Sequence, residues 1–281
     1  MKQDLRPGGS PTQDLQFQEH RFTDHDFRAL SRKVETLTGI VIQPFKKQMV
    51  YSRLTRRLKA LRLTDFSDYV SHLDSPDGAR ELEKFVNAVT TNTTSFFRER
   101  HHFDHLERTL GGRSDNRNSV RIWSAGCSAG QEIYSACVVV TKLSCPKLEA
   151  KYLATDIDTL VLETARRGVY PGNSIAEVPT RFRHFFTMED EVLAAEKAIV
   201  DQVSFKRLNL LEKWPFDWKF DYIFCRNVLI YFDQSRKRAI VEKLAERLVP
   251  GGFLYLGHSE SLSERIKGLE PRGSTIYERT E

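Results

Sequence analysis

Three groups of side chains in this 281-residue chain have the types and spacing for chemistry, and each has a plainer alternative. The first is Gly126-Cys127-Ser128-Ala129-Gly130, shortly after the run Val120-Arg121-Ile122-Trp123. Glycines in a strand-to-helix turn let backbone N–H groups approach a ligand just beyond the strand's carboxyl end. The same five residues also spell G-x-S-x-G, the nucleophile elbow of hydrolytic α/β folds, with Ser128 as nucleophile and Asp221 and His258 following in triad order. That elbow normally sits well inside a sheet, whereas here it follows the first strand of its domain. The turn matches neither G-x-G-x-x-G nor a P-loop, because only Gly126 and Gly130 are present and no Gly-Lys-Ser/Thr follows.

The second group closes the next strand, Ala154-Thr155-Asp156-Ile157-Asp158, with Asp156 30 positions beyond Gly126. An acid there can accept two hydrogen bonds from a ribose diol. A helix N-cap explains one of the two aspartates but not both. Glycine turn and second-strand acid together point to an adenosine-bearing cofactor, either a nicotinamide dinucleotide or S-adenosylmethionine. The third group is Arg226-Asn227, polar residues at the end of the strand Tyr222 to Cys225, where a reacting group would sit. His101, His102 and His105 have two histidines at helical i,i+4 spacing, but no acid or cysteine stands at a supporting spacing. They read as structural, and no metal is expected.

The elements that must position these groups fall into two textures. From Thr23 to Ala88 the pattern is helical, with an N-cap at Thr23, a helix from about Phe45 to Leu61 and another from Ala79 to Val89. Val50, Leu54, Leu58 and Leu61 make one apolar stripe of the middle helix. Lys46, Lys47, Arg53, Arg56, Arg57, Lys59 and Arg62 give it seven positive charges with no acid between Ile40 and Thr64. After Gly111 strands alternate with helices, which predicts a doubly wound, mostly parallel sheet. The strands are expected near 120–123, 151–155, 222–225 and 253–257, the helices near 132–143, 159–167 and 234–248, with a Pro250-Gly251-Gly252 turn before the last strand. Residues 168–205 break the rhythm and read as an insertion.

Composition excludes several classes. Forty per cent apolar and 29 % charged is an ordinary globular balance, and the net charge of +5 is too mild to argue for nucleic acid. No stretch approaches the roughly 20 apolar residues of a membrane span. The first 16 residues read as a polar, disordered tail without a signal-peptide core. Cys127, Cys137, Cys145 and Cys225 form no Cys-x-x-Cys pair and read as reduced, mostly buried thiols, so a cytoplasmic protein is expected.

Four strings, in order along both halves, carry a resemblance: Met49 to Leu61 (MVYSRLTRRLKAL), Thr91 to Glu99 (TNTTSFFRE), Leu153 to Tyr170 (LATDIDTLVLETARRGVY) and Phe224 to Asp233 (FCRNVLIYFD). With the helix–Leu248-Val249-Pro250-Gly251-Gly252–strand passage, they resemble class I S-adenosylmethionine-dependent methyltransferases and, more narrowly, the bacterial chemotaxis receptor methyltransferases (the CheR family). The resemblance spans about Phe22 to Glu278. It implies a class I catalytic domain at 111–281 with a small β-subdomain insertion, a helical substrate-recognition domain at 17–88, and a linker with a first helix at 89–110.

It also implies residue roles. Asn92, Thr94 and Arg98 would line the S-adenosyl-L-methionine site, Glu132 and Asp156 would hold the cofactor, Asn209 and Leu210 would flank the adenine, and Arg226 with Asn227 would lie at the methionine end. Arg98 and Tyr231 would face the methyl group and the incoming carboxylate. The implied reaction is protein-glutamate O-methylation of methyl-accepting chemoreceptors, leaving S-adenosyl-L-homocysteine. Arg53, Arg56 and Arg57 would meet the acidic receptor helices. A glutamate is already ionised near neutral pH, so no general base is expected. Two departures stand out. Gly130-Gln131-Glu132-Ile133 replaces the family's Gly-Glu-Glu-Pro but keeps Glu132. Thr187 to Ala198 lacks the glycine of members that dock a receptor's C-terminal tether, which puts tether binding in question. The rival readings are a nucleic-acid methyltransferase using the basic helix on phosphates, against which the Arg226-Asn227-Val228-Leu229 turn has no prolines, and the Ser128 hydrolase.

Overall fold

The computed structural model describes residues 19–112, 119–143, 148–262 and 264–281. The expected tail at 1–16, most of the polar run after Gly111, and Cys145 lie outside the described residues.

The chain opens with helices α1 (Asp24–Thr38), α2 (Lys47–Leu61), α3 (Phe66–Asp74) and α4 (Ala79–Val89). Thr23 and Asp26 form a reciprocal capping box at the start of α1, and Gly39, at φ +75°, ends it in the left-handed conformation that glycine adopts without strain. Val50, Leu54 and Leu58 of the expected stripe are buried against Phe22, Leu30, Phe66 and Phe85. Arg57 crosses this bundle to Glu81 with two bonds of 2.7 and 2.8 Å, and Tyr69 donates to the same carboxylate at 3.1 Å. The buried carboxylate between α2 and α4 thus has three donors.

A linker and α5 (His101–Gly111) lead into β1 (Ser119–Ala125), α6 (Gln131–Lys142), β2 (Glu149–Asp156), α7 (Thr159–Arg167), β3 (Val169–Pro171), β4 (Phe186–Glu189), β5 (Val192–Ala195) and the short α8 (Lys197–Val200). Then follow β6 (Val203–Arg207), β7 (Phe220–Cys225), α9 (Gln234–Glu246), β8 (Leu248–Leu256), β9 (Leu269–Gly273) and β10 (Ile276–Arg279). The main sheet has the order β6-β2-β1-β7-β8-β10-β9, parallel through β8 and antiparallel at β10 and β9. Helices cover both faces: α5, α6 and α7 bury Phe103, Ile133 and Leu162 on one, and α9 buries Ile240, Val241 and Leu244 on the other. His101, His102 and His105 pack α5 on the sheet through Ser274, Thr275 and Tyr255.

Two expectations need correction. Pro250-Gly251-Gly252 is no turn; it lies inside β8, where the pairing slips from Phe220↔Leu248 to Tyr222↔Phe253. Gly251 at φ +75° makes the irregularity possible, and a Cβ on Gly252 would come within 2.9 Å of the Asp221 carbonyl. The inserted antiparallel sheet, β3-β5-β4, occupies only 169–195, and the last residues assigned to the insertion, 203–205, belong to β6. Its hairpin turns at Asp190, φ +51°, without a glycine.

Candidate active site

Beyond the carboxyl ends of β1, β2, β7 and β8, and roofed by the helical domain, lies a cavity of about 310 Å³. Its place follows from topology: β1 pairs with β2 on one side and β7 on the other, so the loops after them diverge and leave a crevice. Asn92, Thr94, Arg98, Glu132, Asp156, Asn209, Leu210, Arg226, Asn227 and Tyr231 all line it.

On the β1–β2 side the turn is tight. Gly126 and Cys127 donate to the Thr155 carbonyl at 2.8 and 2.9 Å, and Gly126 sits at φ +86° where a Cβ would run into Val228. The two aspartates divide the work. Asp156, buried at the end of β2, accepts from the backbone N–H of Ser128 at 2.8 Å and of Asp158 at 3.0 Å. Burial pushes its pKa up to about 6. The carboxylate lines the cavity, and each of its oxygens accepts one of these two bonds. Asp158 caps α7 through Leu160 and Val161, and its other oxygen accepts from Thr90 and Asn92, both at 2.6 Å. One acid faces the crevice; the other fastens the linker to the catalytic domain.

The hydrolase reading fails here. The Ser128 hydroxyl donates to the Asn92 carbonyl at 2.9 Å, the His258 ring lies 3.1 Å from Glu99, and Asp221 sits at the far end of β7, accepting from the Arg121 N–H.

On the β7–β8 side two buried side chains of opposite charge meet. Arg226 donates to Glu132 at 3.0 Å, and the Ser124 hydroxyl donates to the other Glu132 oxygen at 2.7 Å. Burial raises the Glu132 pKa, with Arg226 opposing the rise. Arg226 also reaches the Arg98 carbonyl and lies 3.5 Å from Glu99. Burial works against ionised Glu99, but Arg226 and His258 outweigh it and hold its carboxyl below the ordinary value.

The linker is held by its own kinks: Phe97 and Glu99 have φ +52° and +54°. The N–H groups of Phe96 and Phe97 are taken by Glu177 and Ser135 at 2.8 and 3.0 Å, and the Phe97 ring stacks on Phe182. That anchorage places half-buried Arg98, which donates to the Thr93 carbonyl at 3.2 Å, on the cavity wall. Tyr231, also on the cavity wall, donates to the Thr91 carbonyl at 3.3 Å, burial raises its pKa, and the Lys46 ammonium lies 5.4 Å from its ring.

A family model described as "CheR methyltransferase, SAM binding domain" matches residues 92–277, and one described as "CheR methyltransferase, all-alpha domain" matches 25–90. The chain belongs to the CheR methyltransferase family. It is 40 % identical to chemotaxis protein methyltransferase 2 of Pseudomonas aeruginosa, over 96 % of this chain and 99 % of that one. It is 38 % identical to the chemotaxis protein methyltransferase of Escherichia coli, over 96 % of each, and 37 % identical to that of Salmonella typhimurium over the same shares. The protein is therefore an S-adenosylmethionine-dependent methyltransferase of the chemotaxis class, and the cavity fits the cofactor: a buried carboxylate at the end of β2, a tight glycine turn and a paired anion and cation.

Several of the expected site residues also have structural partners within the chain. The Asn92 amide is spent on Asp158, and the Asn209 amide on the Leu37 carbonyl and Glu212, so both shape loops. None of Arg53, Arg56 and Arg57 lines the cavity. Arg53 donates to the Val89 and Thr90 carbonyls, Arg57 is bound to Glu81, and Lys47 and Lys59 meet Asp24 and Glu19. The acids missing from the run are supplied by other segments. Arg56 remains exposed.

One residue escaped the sequence reading altogether. Glu260 is fully buried and accepts from the N–H groups of Asn227 and Gly257, both at 2.7 Å, and of Ile230 at 3.1 Å. It joins the loops after β7 and β8, fixing Asn227 at φ +59°. Two of its three donors come from the loop after β7, 30 and 33 residues away in the chain, and no local spacing announces them.

Proposed function

We propose that the protein transfers the S-adenosylmethionine methyl group to glutamate side chains on cytoplasmic helices of chemoreceptors, giving glutamyl methyl esters and S-adenosylhomocysteine. The observation that carries this reading is the cavity wall itself: Arg98 and Tyr231 both line one cavity to which the helical and the catalytic domain contribute. A guanidinium and a phenol are the groups that hold a carboxylate, and neither removes a proton.

In this reading the helical domain, 17–88, meets the receptor, the linker and first helix, 89–110, close the site, and 111–281 carries the cofactor. Asp156 takes the ribose hydroxyls on its free lone pairs. Asn209 and Leu210 flank the adenine. Glu132 and Arg226, with Asn227, offer one anion and one cation to the zwitterionic methionine end, and the backbone at Asn92 and Thr94 closes over it. The bound cofactor supplies an electrophilic methyl group. The acceptor glutamate, with a pKa near 4.3, arrives ionised. Arg98 holds one carboxylate oxygen, the Tyr231 hydroxyl orients the other, and the roof excludes water. Arg56 steers the acidic helix from outside. Among the described residues no helix is long and apolar enough to cross a membrane, and the proposal places the enzyme in the cytoplasm beside the receptor helices. Neither a receptor tether nor nucleic acid is needed.

The test is transfer of labelled methyl to receptor-bearing membranes, followed by mild alkali. Volatile label, with transfer reduced at least about a hundredfold in Arg98→Ala, is expected. Label that survives alkali would overturn the ester and point to N-methylation.

A further inference from the structure

A large apolar side chain alone on a surface is ordinary. Two at one functional opening call for an account. Phe45 is 81 % exposed on the turn that precedes α2, and Ile230 is 51 % exposed on the turn after β7. The next residue in each turn, Lys46 and Tyr231, lines the cavity, and these two form the cation–π contact that joins the domains there. Phe45 and Ile230 therefore flank one contact from separate domains, at the cavity mouth.

Both turns are held. Pro44 opens the first, and the Lys46 N–H closes it on the Gln43 carbonyl at 2.9 Å. The second is pinned by buried Glu260 on the Ile230 N–H at 3.1 Å and by Val41 on the Tyr231 carbonyl at 2.9 Å. The two side chains are kept in water beside the opening, and apolar area left there forgoes about 25 cal/mol per Å².

We propose that Phe45 and Ile230 form an apolar grip for the acceptor helix, and that the preferred acceptor carries aliphatic side chains one helical turn from its target glutamate. This rests on the glutamate-methylating reading above. Residues three and four apart on a helix share one face, about 5–6 Å from one another. With the glutamate entering the cavity that Arg98 and Tyr231 line, the acceptor's neighbours on the same face would meet the apolar side chains that stand next to Lys46 and Tyr231 in the chain. Charge selects the occupant: Lys46 and Arg98 on the cavity wall are cationic, which suits an acidic helix with an aliphatic flank. Phe45 makes none of the cavity wall, so its part is to seat the acceptor while the cofactor's surroundings stay intact.

The test compares Phe45→Ala, Phe45→Glu and Phe45→Leu in the full-length protein, with receptor in native membranes as substrate. Receptor KM, kcat at saturating receptor, and S-adenosylhomocysteine affinity by calorimetry are read separately. Receptor KM is expected to rise about tenfold in Phe45→Ala, the size of a modest interface anchor, and further in Phe45→Glu. Phe45→Leu should stay near wild type, and S-adenosylhomocysteine affinity should not move in any of the three. An unchanged receptor KM in both Phe45→Ala and Phe45→Glu overturns the proposal. A parallel loss of S-adenosylhomocysteine affinity also overturns it, by placing Phe45 on the cofactor. Wild-type self-association that Phe45→Ala abolishes would assign the patch to a second copy instead. If the wild type itself puts no alkali-labile methyl on receptor, the parent reading fails before the variants are compared.

Discussion

Arg226 and Glu132 face each other at 3.0 Å with side chains only 2 % and 11 % exposed, one from the loop after β7 and the other from the first turn of α6. The pair closes the crevice between two strands whose following loops diverge. Removing one member of a buried pair leaves the other uncompensated, at about 3–5 kcal/mol. Arg226→Met should lower stability to urea by that order and abolish S-adenosylhomocysteine binding. The double variant Arg226→Met/Glu132→Met should regain much of the stability but none of the binding.

Asp156 gives opposite signs for stability and for binding. Its folded pKa of about 6 lies above its ordinary value of 3.8, so the folded chain holds the proton more tightly than the unfolded one. The contribution favours folding at low pH and is lost as pH rises from about 4 through about 6, by up to about 3 kcal/mol. Binding of the ribose needs the ionised acid, so S-adenosylhomocysteine affinity should instead fall as pH drops below about 6. Subtracting the Asp156→Asn stability curve from the wild-type curve isolates the first effect; calorimetry between pH 5 and 7.5 reads the second. A wild-type affinity flat across that range would remove Asp156 from the ribose.

Glu260 should behave as a positioning residue. Glutamine keeps the shape, but its amide nitrogen must face one of the three N–H donors, which costs about 1–3 kcal/mol. Glu260→Gln is expected to stay folded with a lower melting temperature. Because it holds Asn227 and the Tyr231 turn, both kcat and cofactor affinity should drop. A melting temperature that falls with kinetics untouched would leave Glu260 a purely structural residue.

The three arginines of α2 should separate experimentally. Arg57→Ala removes the only cation paired with the buried Glu81 carboxylate among the described residues and leaves it the Tyr69 hydroxyl alone, so the helical domain should lose several kcal/mol and activity with it. Arg53→Ala frees the carbonyls of Val89 and Thr90 and should loosen the linker, seen as faster amide exchange at 89–92. Arg56→Glu should leave the melting temperature alone and raise receptor KM at low salt, the difference shrinking as salt rises. If receptor KM is indifferent to Arg56 at low salt, steering by this face is wrong.

The small sheet carries a prediction about the receptor. Its hairpin turns on Asp190 without glycine, and removing a receptor's C-terminal tether should leave its methylation rate by this enzyme within about twofold, a change below 0.5 kcal/mol. A tenfold loss would assign tether docking to this sheet after all.

Local signals were read well where the responsible physics is local. The Thr23–Asp26 box starts α1, Asp158 caps α7 over the expected 159–167, and α4 runs over the expected 79–89, because capping and periodicity are settled within one or two turns. The glycine turn and Asp156 were legible for the same reason: a close backbone approach and a strand-end acid are each written in a few consecutive residues. Pro250-Gly251-Gly252 misled because the same glycine freedom serves a bulge inside β8 as well as a turn, and only the register with β7 distinguishes them. The final strands β9 and β10 left no alternation strong enough to see, since much of β9 is exposed.

The amino-acid sequence by itself determined the two-domain order, the parallel sheet, the family and the residues that come together around the cavity, since each is carried by short strings whose meaning needs no neighbour. Tertiary structure alone decided what each charge does. The acid-free run of α2 is answered by Glu81, Asp24 and Glu19 from other segments, and the two aspartates after β2 part company because one meets the crevice and the other meets Thr90 and Asn92. Glu260 matters because the loop after β7 brings the N–H groups of Asn227 and Ile230, 33 and 30 residues away in the chain, to a carboxylate that already holds Gly257 of its own loop. A charge acts through what stands within a few ångströms of it, and those distances are set by packing between segments far apart in the chain.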